Sequence, residues 1–202
     1  MKILCVGRNY SEHAKELGNA VPENPVIFSK PDTALIKNNE PFYHPDFSHD
    51  IHHEVELVIK ISKMGKKIQP KFARNYFTEI GLGIDFTARD VQSKLKEKGL
   101  PWELAKAFDG SAPIGEFINV EGKDLANINF SLTKNGQLVQ QGNTAQMIFP
   151  FEEIVSFVSQ YFTLKVGDLI YTGTPAGVSK INIGDKLEGF IENQLMLTCE
   201  VK

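Results

Sequence analysis

Residues 52–59 contain two carboxylates, Glu54 and Glu56, in an otherwise largely apolar stretch. The β-branched and bulky apolar residues around them are typical of a buried strand. Because side chains alternate along a strand, both carboxylates would project from one face, roughly 7 Å apart. Burial and mutual repulsion would oppose their ionisation, and a hard divalent cation would remove that cost. A solvated edge strand explains the same residues, so the segment alone leaves both interpretations open.

A third carboxylate, Asp85, follows the apolar segment 80–84. We expect that segment to be a second strand, with Asp85 at its end, where it can join Glu54 and Glu56. A site made only of oxygen ligands suits Mg²⁺ or Mn²⁺ better than zinc. Aspartate is also a common N-cap residue, so a cap on a following helix, predicted to run to about Lys98, explains Asp85 equally well.

The histidines near the first strand offer a rival site for zinc or ferrous iron. His49, His52, His53 and Glu54 have the residue types of a two-histidine, one-carboxylate centre. Adjacent strand residues point to opposite faces, so His53 diverges from Glu54, whereas His52 shares its face. One histidine beside two carboxylates weakens this alternative and leaves it open.

Three further side chains suit the binding of an anion beside such an ion. Arg89 and Gln92 are three residues apart on one side of the predicted helix, and a guanidinium pairs well with a carboxylate. A solvated position on the helix explains both residues as well. Lys106 lies in an apolar neighbourhood, where an unpaired ammonium is costly. It either stabilises an oxyanion or extends to water.

His13 and Glu16 lie three residues apart on a short helix predicted after the first strand and ended by Gly18-Asn19. They share one face of that helix, where Glu16 would orient His13 as a general base. On residue type alone, a histidine on such a polar helix is more often at the surface, and the local sequence favours that interpretation.

The composition is that of an ordinary globular protein, with 202 residues, 42% of them hydrophobic, and a net charge of −3. No basic stripe with interleaved aromatic residues stands out, so nucleic acid is not an expected partner. No apolar run reaches the roughly 20 residues that span a bilayer, and the N-terminal apolar segment is short for a signal peptide. We therefore expect no membrane association. Cys5 and Cys199 have no metal-type spacing, so we expect a cytoplasmic protein in which both thiols are reduced.

The pattern of elements predicts a compact α+β protein dominated by short strands. Apolar residues at helical spacing predict a helix over 151–162. The pair Asn135-Gly136 is a strong hairpin signal. No repeat or linker divides the chain, so residues 1–202 are expected to form one domain. Besides the segments already named, strands are expected at 1–7, 26–28, 128–133 and 137–141.

Several long motifs, taken in order, resemble those of the fumarylacetoacetate hydrolase family. The resemblance covers nearly the whole chain, and it points to the short members with acylpyruvate hydrolase or oxaloacetate decarboxylase activity. Several motifs in the right order are far more specific than any one of them. The matching segments are residues 7–16, 28–31, 52–57, 85–92, 98–106 and 167–178.

The resemblance implies a fold, an assembly and a cofactor. The implied fold is an α+β, strand-rich mixed β-sandwich roll, usually a homodimer with one Mg²⁺ or Mn²⁺ per subunit. Residues 1–20 would include a lid segment over the substrate, and Arg8 and Lys30 match motifs without receiving a role. The implied site residues are Glu54, Glu56 and Asp85 for the metal, Arg89, Gln92 and Thr174 for the substrate, and His13, Glu16 and Lys106 for catalysis.

The implied activity is metal-dependent hydrolysis of the carbon–carbon bond in 2,4-diketo acids (acylpyruvates), which yields pyruvate and a carboxylic acid. The metal would act as a Lewis acid on the 2-oxo group, His13 would activate a water, and Lys106 would neutralise developing charge. Alternatives on the same site are oxaloacetate decarboxylation or tautomerisation, and isomerisation of 2-hydroxyhepta-2,4-diene-1,7-dioate. A catalytically silent binding protein is a further alternative, which the presence of both His13 and Glu16 disfavours.

Overall fold

The computed structural model describes residues 1–16, 18 and 20–202. The predicted end of the first helix at Gly18-Asn19 falls partly outside this range, because Asn19 is not described. Most helices within the described residues are short. Their bounds are α1 Ser11–Glu16, α2 Pro70–Ala73, α3 Arg89–Glu97, α4 Glu103–Lys106 and α5 Phe151–Tyr161, with 3-10 turns at Asp32–Ala34, Arg74–Tyr76 and Thr144–Gln146.

Strands make up the larger part of the regular structure. They agree with most of the predicted strand segments and extend several of them by one to three residues, but the segment predicted over 52–59 is divided between two strands. The strands are β1 Ile3–Gly7, β2 Val26–Lys30, β3 Leu35–Ile36, β4 Ile51–His53, β5 Val55–Ile61, β6 Phe77–Ile84, β7 Thr87–Ala88, β8 Ala112–Asn119, β9 Asn129–Lys134, β10 Gln137–Asn143, β11 Leu169–Tyr171, β12 Ser179–Lys180, β13 Lys186–Ile191 and β14 Gln194–Glu200.

A seven-stranded mixed sheet carries the functional residues, with strand order β2-β1-β11-β5-β6-β8-β3. Its middle strand, β5, is apolar on both faces: Leu57 and Ile59 belong to one core and Val58 to another, and all three are fully buried. Such a sequence suits a strand covered on both sides. β5 pairs with β6 in a register that begins at Val55 and Ile84. The residues next to these positions, Glu54 and Asp85, are therefore neighbours.

A four-stranded antiparallel sheet, β10-β9-β13-β14, packs against the first sheet. Gly189 of β13 permits the close approach, because a Cβ there would lie 2.5 Å from Cδ2 of Leu82 in β6. Buried side chains from both sheets, among them Leu57, Leu132 and Leu187, form the main core. The predicted strand-rich α+β roll is therefore confirmed.

The strand predicted over 52–59 is interrupted at Glu54. β4 ends at His53 and belongs to a separate three-stranded sheet, β12-β4-β7, whereas β5 begins at Val55. Glu54 thus lies where the chain passes from one sheet to another. The edge-strand interpretation is wrong, because β5 is in the middle of its sheet and Glu54 and Glu56 are only 4% and 2% exposed.

The helix predicted after Asp85 begins later than expected. The two-residue strand β7 intervenes, and the N-cap of α3 is Ala88. Asp85 is therefore not a helix cap, and its carboxylate is free to serve the site.

The two cysteines agree with the expectation from their positions in the sequence. Cys5 and Cys199 are both buried and free. Among the described residues, no helix has the length and apolar character needed to cross a bilayer.

Candidate active site

Three carboxylates, those of Glu54, Glu56 and Asp85, converge at the end of the β5–β6 pair. One oxygen from each lies within 4.8 Å of the other two, and all three residues are buried. The backbone N–H of Asp85 donates to the carbonyl oxygen of Glu54 at 2.8 Å, which ties the two strand ends together. The cluster expected from the sequence is thus assembled by strand register and by the interruption at Glu54.

The loop after β11 gives this cluster a backbone donor. The N–H of Gly173 donates to Oε2 of Glu56 at 2.7 Å. Gly173 has a φ of 104°, and a Cβ there would lie 2.6 Å from Cβ of Asn9, so a side chain is not tolerated. Asn9 fixes the same loop through a 2.7 Å hydrogen bond from Nδ2 to the carbonyl oxygen of Thr172.

Lys106 places a buried cation against two of the carboxylates. Its Nζ donates to Oε2 of Glu54 at 2.8 Å, to Oδ2 of Asp85 at 2.6 Å and to Oγ1 of Thr87 at 2.6 Å. These three acceptors use the full donor capacity of the ammonium. The interpretation in which Lys106 extends to water is therefore wrong.

Burial and neighbouring charges shift the pKa values of these groups in different directions. Burial raises the pKa of Glu56, and the Asp85 and Glu54 carboxylates raise it further, well above its usual value. Burial acts on Glu54 in the same sense, but Lys106 and Arg89 outweigh it and hold the pKa of Glu54 well below the usual value. Burial alone would lower the pKa of Lys106, but the Asp85 and Glu54 carboxylates raise it, so Lys106 stays a cation. Glu56 is the carboxylate whose charge is least compensated.

The donor set of this cluster fits a hard divalent cation. Oδ1 of Asp85 is buried and accepts no hydrogen bond within the described residues, and the Lys30 ammonium lies 2.8 Å from it as an ion pair. Lys30 instead donates to the carbonyl oxygen and the hydroxyl of Ser111, at 3.0 and 2.9 Å. A cation bound by oxygen ligands would compensate the buried charge of Glu56. Such ligands favour Mg²⁺ or Mn²⁺ over zinc.

The histidines of the rival site have other partners. Nδ1 of His53 contacts Oε1 of Gln140 and Nε2 contacts Oγ of Ser179, both at 2.8 Å. Burial lowers the pKa of His53 to about 4, so this residue is neutral at physiological pH. Nε2 of His52 contacts Oδ1 of Asp50 at 3.0 Å. In the part of the chain that the structure describes, no group of three metal-ligand side chains includes a histidine.

His13 and Glu16 form a pair that faces the carboxylate cluster. Nδ1 of His13 lies 3.3 Å from Oε2 of Glu16, and His13 is only 5% exposed, so the surface interpretation is wrong. The N–H of Gly177 donates to Oε1 of Glu16 at 3.1 Å, which connects α1 to the loop that also holds Glu56. Because Glu16 engages Nδ1, the ring atom left for a substrate is Nε2.

Arg89 and Gln92 line the same cleft from α3. The guanidinium of Arg89 forms an ion pair with Oε1 of Glu54 and donates to Oε1 of Gln92 at 2.7 Å. Arg89 and Lys106 therefore hold the two oxygens of Glu54 between them. The solvated-helix interpretation is wrong for Gln92, which is buried.

Thr174 also lines the cleft, and its hydroxyl is oriented by Gln140, a residue that sequence analysis missed. Oε1 of Gln140 accepts the backbone N–H of Val55 at 3.0 Å, so Nε2 is the atom that donates to Oγ1 of Thr174, at 2.8 Å. The Thr174 oxygen accepts this bond, which leaves its hydroxyl hydrogen available to the cleft.

No local signal in the sequence distinguishes Gln140 from other polar residues of a hairpin. Its partner His53 is 87 residues away along the chain. Lys30 and Asn9 lie in segments that match family motifs, so the family match is the sequence feature that identifies them as site residues. The physical role of all three becomes visible only when distant loops are brought together.

A larger apolar groove of about 540 Å³ adjoins the cleft and shares Phe28 and Trp102 with it. Its other walls include Leu100, Phe157 and Tyr161. Among the described residues that line it, Glu103 is the one charged side chain, so this groove offers no cationic side chain to bind the carboxylate of an acidic substrate.

A strand-rich roll that buries three carboxylates and a lysine in one cleft is the arrangement expected of a fumarylacetoacetate hydrolase-type enzyme. The family model for the fumarylacetoacetate hydrolase C-terminal domain matches residues 2–202. The chain belongs to this family.

Curated relatives cover nearly the whole chain. It is 44% identical to an oxaloacetate tautomerase of Escherichia coli over 92% of this chain and 86% of the relative. It is 43% identical to the mitochondrial oxaloacetate tautomerase of Mus musculus, over 99% of this chain and 91% of the relative.

Among solved structures, the fumarylpyruvate hydrolase of Pseudomonas aeruginosa, in complex with Mn²⁺ and pyruvate, superposes with a TM-score of 0.94. The two chains are 35% identical, and the match covers 100% of this chain and 89% of that one. These similarities identify an enzyme family. The single domain, the homodimer and the cytoplasmic location remain predictions.

Proposed function

We propose that this protein is a divalent-metal-dependent enzyme that interconverts the keto and enol forms of oxaloacetate. This choice replaces acylpyruvate hydrolysis as the first candidate, because both curated relatives described above are oxaloacetate tautomerases. The observation that carries the proposal is the cluster of Glu54, Glu56 and Asp85 with Lys106 in one cleft. Such a cluster can hold a cation and stabilise negative charge on a 2-oxo acid.

Glu54, Glu56 and Asp85 would hold the metal. When bound, a divalent cation supplies Lewis-acid stabilisation of the negative charge that develops on the 2-oxo oxygen during enolisation. The Mn²⁺ in the Pseudomonas aeruginosa fumarylpyruvate hydrolase structure supports a metal of this type.

Residues around the metal ligands would bind and orient the substrate. Arg89 and the Thr174 hydroxyl face the cleft as donors, which suits a substrate carboxylate. Gln92 holds the guanidinium of Arg89 at 2.7 Å. Lys106, a buried cation beside the cluster, would neutralise charge on the enolate oxygen.

His13 would move the proton. Tautomerisation of oxaloacetate moves one proton between C3 and the oxygen of the 2-oxo group, and it therefore needs an acid–base group that takes the proton from one atom and returns a proton to the other. Nε2 of His13 is the candidate, since Glu16 holds Nδ1 at 3.3 Å. Decarboxylation of oxaloacetate instead breaks the bond between C3 and C4, releases CO₂ and leaves the enolate of pyruvate, so it needs no base to start.

Acylpyruvate hydrolysis is the second candidate, and the His13–Glu16 pair favours it. The same Nε2 would deprotonate a water that attacks the 4-carbonyl group, and the bond between C3 and C4 then breaks. The similarity to the Pseudomonas aeruginosa fumarylpyruvate hydrolase supports this activity. The two candidates share the metal ligands and differ in what His13 deprotonates.

The test is a panel of oxaloacetate, acetylpyruvate and longer acylpyruvates, assayed by the ultraviolet absorbance of the enol with Mg²⁺, with Mn²⁺ or with EDTA. We expect oxaloacetate tautomerisation to be fastest and to need either metal. The matched variants are Glu56→Gln, which should be inactive, and Glu79→Gln, which alters a half-exposed carboxylate on the neighbouring strand and should retain activity. Faster turnover of an acylpyruvate would establish the second candidate, and full activity in EDTA would overturn the metal mechanism.

A further inference from the structure

Two cations in the cleft are not used by the carboxylate cluster. Arg8 and Lys96 both line the cleft, and both lie against the ring of Trp102, at 6.0 and 5.6 Å from its centroid. Arg8 comes from the turn after β1 and Lys96 from α3, so the fold brings them together from distant parts of the chain. Trp102 is the single tryptophan of the protein.

Neither cation has an anionic partner in the described part of the chain. The other cations of the site are paired: Arg89 with Glu54, Lys106 with Glu54 and Asp85, and Lys30 with Asp85. No ion pair of the described residues includes Arg8 or Lys96. Two half-buried cations that share one aromatic wall and lack a counter-charge are suited to bind an anion.

We propose that Arg8 and Lys96 bind the second carboxylate of a dicarboxylic 2-oxo acid, at the end of the substrate away from the 2-oxo group. This inference rests on the proposed function, in which the first carboxylate and the 2-oxo group lie at the metal cluster. Trp102 supports both cations through its ring face and keeps them at the wall of the cleft.

The electrostatic surroundings of Lys96 agree with a missing anion. Burial lowers the pKa of Lys96, and the positive charges of Arg8, Arg89 and Lys106 lower it further. An anion bound between Arg8 and Lys96 would relieve this repulsion. A substrate that ends in an uncharged acyl group would leave both cations unpaired.

This wall distinguishes dicarboxylic substrates from acylpyruvates that end in an uncharged acyl group. Oxaloacetate and acetylpyruvate share the first carboxylate and the 2-oxo group, but they differ at the far end, where one has a carboxylate and the other an acetyl group. Removal of a charged hydrogen-bond partner typically weakens binding tenfold or more. We expect Arg8 and Lys96 to affect the first substrate and not the second.

The test compares Arg8→Gln, Lys96→Gln and the double variant with the wild-type protein. A matched control is Lys98→Gln, which removes a lysine from an exposed position beyond the last turn of α3. Each protein is assayed for kcat/KM with oxaloacetate and for inhibition by pyruvate, which is oxaloacetate without its second carboxylate. We expect each single variant to lower kcat/KM for oxaloacetate about tenfold, through KM, while the inhibition constant of pyruvate stays within about twofold.

A second measurement uses the fluorescence of Trp102, which reports occupancy of this wall directly and does not depend on turnover. Oxaloacetate should change the emission of the wild-type protein, pyruvate should change it much less, and the double variant should respond to neither. Equal weakening of oxaloacetate and pyruvate in the variants, or unchanged kcat/KM for oxaloacetate, would overturn the inference. Failure of the proposed function gives a different result, because the wild-type protein itself would then not turn over oxaloacetate.

Discussion

Glu56 and His13 line the same cleft, but the fold holds them in very different ways. Glu56 lies on the middle strand of a seven-stranded sheet and accepts a hydrogen bond from Gly173 at 2.7 Å. His13 lies on the six-residue helix α1, and a helix of that length is not stable without tertiary contacts. The side chain of its partner Glu16 is bound to the rest of the cleft wall by the N–H of Gly177.

This difference indicates a division of roles. Groups that must hold a cation under mutual repulsion are fixed by a sheet, because small displacements would change the ligand geometry. A group that delivers a proton can sit on a less strongly held element that meets the substrate from the other side. We therefore expect every reaction of the site to depend on the carboxylate cluster, and only proton-transfer reactions to depend on His13.

The largest effect is expected from Glu56→Gln. The amide cannot replace the charge that a divalent cation requires, so we expect the rates of tautomerisation, decarboxylation and hydrolysis all to fall by at least about 1,000-fold. The substitution should not lower the stability of the metal-free protein, because burial raises the pKa of Glu56 and its ionised form is unfavourable without metal. Thermal unfolding in EDTA above neutral pH should therefore show a Tm no lower than that of the wild-type protein. Retention of any one of the three reactions would show that this reaction does not depend on the carboxylate cluster.

His13→Ala tests the other side of the cleft. We expect tautomerisation and acylpyruvate hydrolysis to fall about 100-fold or more, because both need a proton-transfer group. Decarboxylation of oxaloacetate, followed as CO₂ release, should stay within about tenfold of wild type. Equal loss of all three rates would show that His13 serves the same step as the carboxylate cluster.

A smaller effect is expected from Gln140→Met, which keeps the size of the side chain and removes its amide. The Thr174 hydroxyl then loses the 2.8 Å bond that orients it, and we expect KM for oxaloacetate to rise about tenfold with little change in kcat. In a Thr174→Val background the same change should have no further effect on KM. Additive effects of the two substitutions would show that Gln140 acts through its contacts with Val55 and His53 and not through Thr174.

The smallest effect is a pH dependence of metal stabilisation. Because the pKa of Glu56 is raised in the folded metal-free protein, folding favours its protonated form. The stability that this protonated carboxyl contributes is lost as the pH rises through the raised pKa. A bound cation replaces the proton, so the gain in unfolding free energy on adding Mn²⁺ should increase with pH while Glu56 is protonated in the metal-free protein, by up to about 1.4 kcal/mol per unit. Chemical denaturation with Mn²⁺ and with EDTA, between pH 5.5 and 7.5, measures this gain. A gain that is constant or falls with pH would exclude Glu56 as a ligand that must lose a proton.

Much of this site is visible in the sequence, because carboxylates within apolar strands are costly unless they bind something. Glu54, Glu56 and Asp85 are conspicuous for that reason, and the family motifs group them. The interruption at Glu54 is not predictable from alternation, which assumes one continuous ladder. The chain changes sheets there, and only the pairing of β4 with β7 and β12 reveals it.

Other features depend on contacts that no local pattern encodes. His13 has the sequence environment of a surface residue, yet packing of α1 against the cleft leaves it 5% exposed. Lys106 and Arg89 were expected to meet a substrate, and both already contact Glu54. Local sequence reveals which side chains can do chemistry, whereas their partners are set by tertiary contacts.

The most direct test of the central claim is a Mn²⁺ titration of metal-free protein, with bound metal and oxaloacetate tautomerisation measured in the same samples. We predict that activity rises in proportion to bound Mn²⁺ and reaches its maximum at about one ion per chain, and that Glu56→Gln abolishes both. Full activity without bound metal, or unchanged Mn²⁺ binding in Glu56→Gln, would contradict the claim that Glu54, Glu56 and Asp85 form a catalytic metal site.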